Sequence, residues 1–127
     1  MAMRRAVLKS LVLLLYFELV MRFSTFKILY ESVRKHPVRP SRIPEQTSAE
    51  QLCRAVDLAC VFYFKQVRCL QRSAVTAVLL RNYGWQAEMV IGVQTLPPKF
   101  HAWVALDQRV VNDKPYMLDI YTVIERC

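Results

Sequence analysis

The sequence of 127 residues is poor in glycine, histidine and acidic side chains. It has two glycines and two histidines, and ten acidic residues stand against eighteen lysines and arginines, for a formal net charge of +8. Few glycines and 54% hydrophobic residues argue against disorder and predict one compact domain. The positive charge fits an acidic peptide, an acidic partner or a membrane surface. Runs of five like charges and nucleic-acid motifs are absent, so no nucleic-acid partner is expected.

Paired cysteines are also absent. Cys53, Cys60, Cys69 and Cys127 form no C-x-x-C motif and follow no secretory signal, which predicts free thiols in a reducing compartment. A zinc site made of the first three and a histidine is not favoured, because the spacings match no familiar ligand pattern. We expect no metal and no cofactor. Cys53 and Cys60 are two helical turns apart and are interpreted as packing residues.

A membrane-spanning stretch is missing as well. The apolar run 11–17 is shorter than the about 20 residues that cross a bilayer, Glu18 and Arg22 interrupt its continuation, and no cleavage site follows. We therefore interpret the N-terminus as a core helix. The residues placed on its main face are Leu8, Leu11, Leu15, Leu19 and Arg22. The basic start and aromatic body of this helix would also suit peripheral membrane contact.

The pattern stays helical as far as Gly84. Helices are predicted over 24–35, 47–63 and 69–83, and an extended proline-containing loop is predicted over 37–46. The N-cap candidates are Ser24 or Thr25 for the first of these helices and Thr47, in a capping box with Glu50, for the second. Gly84 is the stop expected just past the end of the last one.

Beyond Gly84 the apolar residues alternate, which is typical of strands. The predicted strands are 87–93, 100–106, 109–113 and 116–124. Gly92 inside the first of them suggests a bulge or a close backbone approach. Helices first and strands second predict an α+β domain, in which the helix that begins at Cys69 packs on a C-terminal antiparallel sheet.

Cys69 and His101 are the candidate reactive pair. Backbone N–H groups at a helix N-terminus stabilise an anion and favour the thiolate, which is the nucleophilic form of cysteine. His101 stands near the start of a predicted strand, on the same face as Trp103, and is a candidate general base for the thiol. Such a base needs an acceptor that fixes its tautomer.

Asp113 and Asn112 are the candidate acceptors, and the register of the hairpin decides between them. A two-residue turn at 107–108 would set Trp103 opposite Asn112 and point Asp113 away from His101. A three-residue loop over 107–109 would set Trp103 opposite Asp113, diagonally beside His101. Asp-Gln is a poor two-residue turn because neither residue readily takes positive φ, so we favour Asp113.

Four motifs carry a resemblance to a known family. They are Cys-Leu-x-Arg-Ser with Leu-Leu-Arg and a Gly, then Met-Val-Ile-Gly-Val, His-Ala-Trp-Val and Val-Val-Asn-Asp, and together they cover 68–113. In order and spacing they resemble the transglutaminase-like leader peptidases of lasso-peptide biosynthesis. The resemblance implies a papain-like fold and a Cys69, His101 and Asp113 triad. It also implies one domain over 1–127, with N-terminal helices and a loop over 1–46 and a catalytic core over 47–127.

The resemblance further implies a bacterial, cytoplasmic cysteine protease. Its substrate would be a ribosomally made precursor, whose leader is removed before ring closure by a separate ATP-dependent cyclase. Because core helices occupy the residues before Cys69, we expect the stand-alone peptidase half and a separate leader-recognition protein. The backbone N–H of Cys69 and the Gln66 side chain are candidate oxyanion donors, and Asn112 and Trp103 are candidate orienting residues. The alternatives are a transamidase or acyltransferase on the same scaffold, and a non-catalytic scaffold at the membrane surface.

Overall fold

The computed structural model describes residues 2–23, 26–36, 49–95, 98–106, 109–113 and 117–127. The helices are α1 (Ala2–Phe23), α2 (Phe26–Lys35), α3 (Ala49–Phe62), α4 (Cys69–Asn82) and the short α5 (Met117–Ile120). The strands are β1 (Ala87–Thr95), β2 (Pro98–Leu106), β3 (Arg109–Val110) and β4 (Thr122–Arg126). The predicted α+β order of helices before an antiparallel sheet is confirmed. The predicted caps Ser24, Thr25 and Thr47 and the loop 37–46 lie outside the described residues.

Helix α1 forms as predicted, but the face assigned to the core was wrong. The buried residues of α1 are Ala6, Ser10, Leu14 and Phe17, while Leu8, Leu15 and Leu19 are exposed. Leucine and valine side chains of α1 point in all directions around the helix axis, so their spacing did not indicate which face is buried. The buried Ser10 hydroxyl donates a 2.7 Å hydrogen bond to the Ala6 carbonyl oxygen, which removes its need for water.

The outer side of α1 carries a row of exposed apolar side chains, which we call the α1 stripe. It consists of Leu8, Val12, Leu15, Leu19 and Phe23. The exposed basic residues Arg4, Arg5, Lys9 and Arg22 stand on the same helix. In the described part of the chain, no helix is long and apolar enough to cross a membrane.

Helices α2 and α3 follow the predicted pattern. Leu29 and Val33 of α2 are fully buried. In α3, Cys53 is buried and Cys60 packs against the same core, as their spacing predicted. These helices, with α1, surround α4.

Helix α4 is the centre of the domain and begins at Cys69, as predicted. Its residues from Ser73 to Arg81 are all buried. The buried Arg81 guanidinium donates to the backbone carbonyl oxygens of Ala87 and Cys127, at 2.8 and 2.7 Å, and to that of Val33 at 2.5 Å. These bonds compensate the burial of its charge and join the end of α4 to α2 and the sheet. Gly84 follows with a φ of 92°, which is the left-handed conformation predicted for a helix stop.

The sheet has the strand order β3-β2-β1-β4, and every neighbouring pair is antiparallel. Two predicted strands needed correction. The segment predicted as one strand over 116–124 contains α5, and β4 begins only at Thr122. An apolar run this short fits a helical turn as well as a strand. The strand predicted over 109–113 ends at Val110, because the chain bends through 111–113.

Gly92 is a point of close approach, as predicted. It pairs with His101 across β1 and β2, and the register between β1 and β4 shifts between Ile91 and Gly92. A Cβ atom at this position would lie 2.7 Å from the Trp103 ring and 2.7 Å from Tyr121 Cβ. Only glycine leaves room for both aromatic residues.

Candidate active site

Cys69 is placed at the exposed start of the buried helix α4. The preceding residue, Arg68, has extended backbone angles of −84° and 160° and makes no side-chain cap. The first N–H groups of a helix have no partner within the helix and form its positive end. The Cys69 side chain is exposed at this end.

The other three cysteines lie in different surroundings. Burial raises the pKa of the Cys53 and Cys127 thiols to about 11. Burial also raises the pKa of Cys60 above its ordinary value. These three thiols are therefore held in the protonated, poorly nucleophilic form at neutral pH.

His101 and Asp113 form a hydrogen-bonded pair. The distance from His101 Nε2 to Asp113 Oδ2 is 2.5 Å, and about a quarter of each side chain is exposed. A carboxylate can only accept, so Nε2–H is the donor in this bond. In the neutral imidazole, Nδ1 is then the basic nitrogen.

The register on which Asp113 was preferred was wrong, although the two residues meet. Leu106 pairs with Arg109, which is the register of a two-residue turn. In a continued ladder Val104 and Val111 would exchange two backbone bonds. Val111 N–H does donate to the Val104 carbonyl oxygen at 2.9 Å, but Val104 N–H donates at 2.7 Å to the side-chain oxygen of Asn112.

Asn112 thus takes the place of a backbone acceptor, and β3 ends beside it. The side-chain amide of Asn112 also donates to Ser73 Oγ at 3.3 Å, and the Arg72 guanidinium donates to the backbone carbonyl oxygen of Asn112 at 2.5 Å. These contacts fix the bend 111–113 to helix α4. Because the chain leaves the sheet after Val110, the alternation of side chains along a strand no longer sets the direction of Asp113. Its side chain can therefore reach His101.

Two aromatic rings lie beside the His101 imidazole. The Tyr121 ring stacks on it with centroids 5.3 Å apart and an interplanar angle of 26°. Trp103, which shares its strand, lies 6.1 Å away, and its side chain is buried. Sequence reasoning found Trp103 and missed Tyr121, because it assigned Tyr121 to the interior of a long strand.

Cys69 and His101 line the same cavity, of about 400 Å³. Its remaining described lining residues are Leu70, Ile91, Phe100, Ala102 and Ile124. No hydrogen bond joins the Cys69 thiol to His101 in the described structure. In an unliganded site such bonds are often formed only when substrate is present.

The other candidates are placed as follows. Gln66 is exposed, three residues before Cys69, and is not among the described lining residues of the cavity. The nearby Gln71 is buried and donates to the Leu14 carbonyl oxygen at 2.8 Å, so it joins α4 to α1. Within the ranges that the structure covers, no group of three or more histidine, cysteine or acidic residues could hold a metal ion.

The fold is that of a transglutaminase-like α+β domain. The family model described as Transglutaminase-like superfamily matches residues 13–126, so the chain belongs to this superfamily. The chain is also similar to the microcin J25-processing protein McjB of Escherichia coli, with 34% identity over 70 residues. This match covers 54% of the chain and 34% of McjB, about a third of that relative's length. No solved structure matches the chain.

Proposed function

We propose that this chain is a cysteine peptidase that removes the leader peptide from a ribosomally made lasso-peptide precursor. The observation that carries the proposal is that His101, which is hydrogen-bonded to Asp113, lines the same cavity as Cys69. Membership of the transglutaminase-like superfamily and similarity to a microcin-processing protein support it. The motifs from 68 to 113 support the leader-peptidase assignment. Residues 47–127 form the catalytic core in this proposal, and the reducing compartment is the bacterial cytoplasm.

In the first half of the reaction, a bond forms between Cys69 Sγ and the carbonyl carbon at the leader–core junction. His101 Nδ1 takes the thiol proton, since Nε2 is engaged by Asp113. The imidazolium then gives that proton to the leaving amine as the C–N bond breaks. The products are the core peptide with a free amino group and a thioester of the leader on Cys69.

In the second half, water releases the leader. His101 takes a proton from the water as the C–O bond forms, and the imidazolium returns that proton to Cys69 Sγ as the C–S bond breaks, which restores the thiol and the neutral imidazole. Asp113 orients His101 and stabilises the imidazolium in both halves. The backbone N–H of Cys69 would bind the oxyanion.

The partners in this proposal are the precursor leader, a separate leader-recognition protein and the ATP-dependent cyclase. The α1 stripe supports a docking role for the N-terminal helices. Its apolar side chains are exposed beside basic residues, and the one acidic residue of α1, Glu18, is paired with Lys65 at 2.8 Å. A partner surface with apolar and acidic side chains would complement it.

The experiment that tests the proposal measures the mass of the products. Wild type, Cys69→Ala and Cys60→Ala are each incubated with the precursor and the recognition protein. We expect cleavage with gain of one water for wild type and for Cys60→Ala, and no product for Cys69→Ala. Full cleavage by Cys69→Ala would overturn the assignment.

The same measurement separates hydrolysis from group transfer. A transamidase or acyltransferase keeps the Cys69 thioester but passes the acyl group to an amine. The product then gains the mass of the acceptor and not of water. Such a product would replace the peptidase assignment while retaining Cys69 as nucleophile.

The α1 stripe and its basic neighbours also fit a scaffold at an anionic membrane surface. Vesicles of phosphatidylglycerol, with phosphatidylcholine vesicles as control, test this alternative. Binding to the anionic vesicles in a protein that cleaves no precursor would favour the scaffold. Cleavage without vesicle binding would exclude it as the main function.

A further inference from the structure

The cavity at Cys69 is apolar apart from its two candidate reactive groups. Helix α4 contributes Leu70, and strands β1, β2 and β4 contribute the other apolar lining residues. Ile91 and Ala102 are buried and form its floor, with exposures of 3% and 4%. Phe100 and Ile124 are exposed at its rim, at 74% and 52%. We call this space the apolar pocket.

The absence of charge from the described lining is informative in a chain of net charge +8. A charged or strongly polar group that entered the apolar pocket would lose water without gaining a partner from Leu70, Ile91 or Ala102. An apolar group would be stabilised by leaving water. The volume of about 400 Å³ lies within the range for ligand sites, about 300–1,000 Å³, and is large enough to admit a bulky side chain.

We propose that the apolar pocket is a substrate subsite, which binds a bulky aliphatic or aromatic side chain next to the bond that Cys69 attacks. This inference rests on the proposed function, since it assumes that Cys69 meets a peptide. It defines the substrate class as peptides with an apolar residue at the cleavage site. The positive charge of the chain then serves contacts away from the reacting bond.

The test uses two alkylating reagents, iodoacetamide and N-benzyl iodoacetamide, on the native protein. In both reactions an S–C bond forms at the thiolate, the C–I bond breaks and iodide leaves. The rate at Cys69 is measured by peptide mass mapping. The ratio of the two rates is compared with the same ratio for free cysteine, which corrects for the intrinsic reactivity of each reagent.

We expect the ratio of the benzyl rate to the iodoacetamide rate to be about tenfold or more higher at Cys69 than at free cysteine. The reason is that the benzyl ring would be buried in the apolar pocket. The rate of the benzyl reagent should also saturate with concentration. Ile124→Glu changes an exposed rim residue and should return the ratio to that of free cysteine. Ile28→Glu is the matched control, because Ile28 is 49% exposed on α2 and does not line the pocket. An unchanged ratio in wild type would overturn the proposal.

The readout does not depend on peptide cleavage, so the two proposals fail separately. A strong benzyl preference together with full cleavage by Cys69→Ala would keep the apolar pocket and reject the peptidase assignment. Cleavage that needs Cys69, with no benzyl preference, would reject the pocket alone. A preference that survives in Ile124→Glu would place the benzyl group elsewhere and overturn the assignment of the lining residues.

Discussion

The His101 imidazole and the Asp113 carboxylate lie 2.5 Å apart, although regular continuation of their hairpin would point them to opposite faces. The side chain of Asn112 makes this contact possible by taking the Val104 N–H bond that the backbone of β3 would otherwise accept. The pair therefore depends on β3 ending at Val110. Asp113 and Asn112 should then have different functions, which substitution can separate.

Asp113→Asn should reduce turnover strongly and leave the fold intact. The amide keeps the shape of the carboxylate but no longer stabilises an imidazolium, and it can bind the wrong tautomer of His101. We expect a loss of at least about 10²-fold in kcat, measured by precursor cleavage. If Asn112→Ala lowered turnover per folded molecule more than Asp113→Asn, Asp113 would not be the orienting residue.

Asn112→Ala should act mainly on stability. It leaves the Val104 N–H and the Ser73 hydroxyl without the Asn112 side chain, at a cost of about 1–3 kcal/mol in the free energy of unfolding. Urea denaturation measures this loss. Ser73→Ala removes only the longer, 3.3 Å contact and should cost less. Equal losses for the two variants would contradict the strand-ending role of Asn112.

Gly92→Ala should damage both stability and the site. The added methyl group would meet Trp103 and Tyr121 at 2.7 Å, and such overpacking typically costs about 1–3 kcal/mol. Because both rings lie beside His101, turnover per folded molecule should fall as well. Gly84→Ala is the control: it strains a backbone with φ of 92° at the far end of α4 and should cost stability alone. A Gly92→Ala enzyme with wild-type turnover would show that ring placement is not critical.

Glu18 should give the fold a component of acid sensitivity. Its hydrogen bond with Lys65 holds its pKa below the ordinary value of 4.5, against a smaller opposing effect of burial. A carboxyl group with a lowered folded-state pKa stabilises the fold above its unfolded pKa, and this contribution is lost as pH falls through the folded value. As the pH is lowered from 5 to below the ordinary pKa of 4.5, the urea midpoint of wild type should therefore fall more than that of Glu18→Gln. Lys65→Gln should show the same reduced dependence, and parallel curves for all three proteins would contradict the role of this pair.

Much of the architecture could be predicted because local signals agreed with the tertiary structure. The start of α4 at Cys69, the stop at Gly84 and the alternation of β1 were each visible in the sequence. The buried face of α1 was not, because apolar residues surround that helix and the core side carries Ser10. Packing against α3 and α4 determines which face of α1 is buried, and the local sequence pattern of α1 does not indicate that face.

The site was harder to predict than the fold for a similar reason. Asp113 was favoured through turn preferences, and the structure reaches the same contact through a different register and a side-chain bond from Asn112. Tyr121 follows a helical turn that was predicted as strand, so its contact with His101 had no signal in alternation. The contacts of Asp113 and Tyr121 with His101 both depend on the residues at which β3 ends and β4 begins. The preferences of single residues do not determine these positions.

Thiol alkylation in histidine variants tests the proposed Cys69–His101 pair most directly. Wild type, His101→Ala and His36→Ala are treated with iodoacetamide at neutral pH, and the rate at each cysteine is followed by peptide mass mapping. Cys69 should react first in wild type, because it is exposed while burial raises the pKa of Cys53, Cys60 and Cys127. His36, at the end of α2, is the matched control, because its ring nitrogen bonds the Ser32 carbonyl oxygen and it does not line the cavity. If His101 activates the thiol, His101→Ala should slow Cys69 about tenfold or more while His36→Ala leaves it unchanged; equal Cys69 rates in all three proteins would contradict the pair.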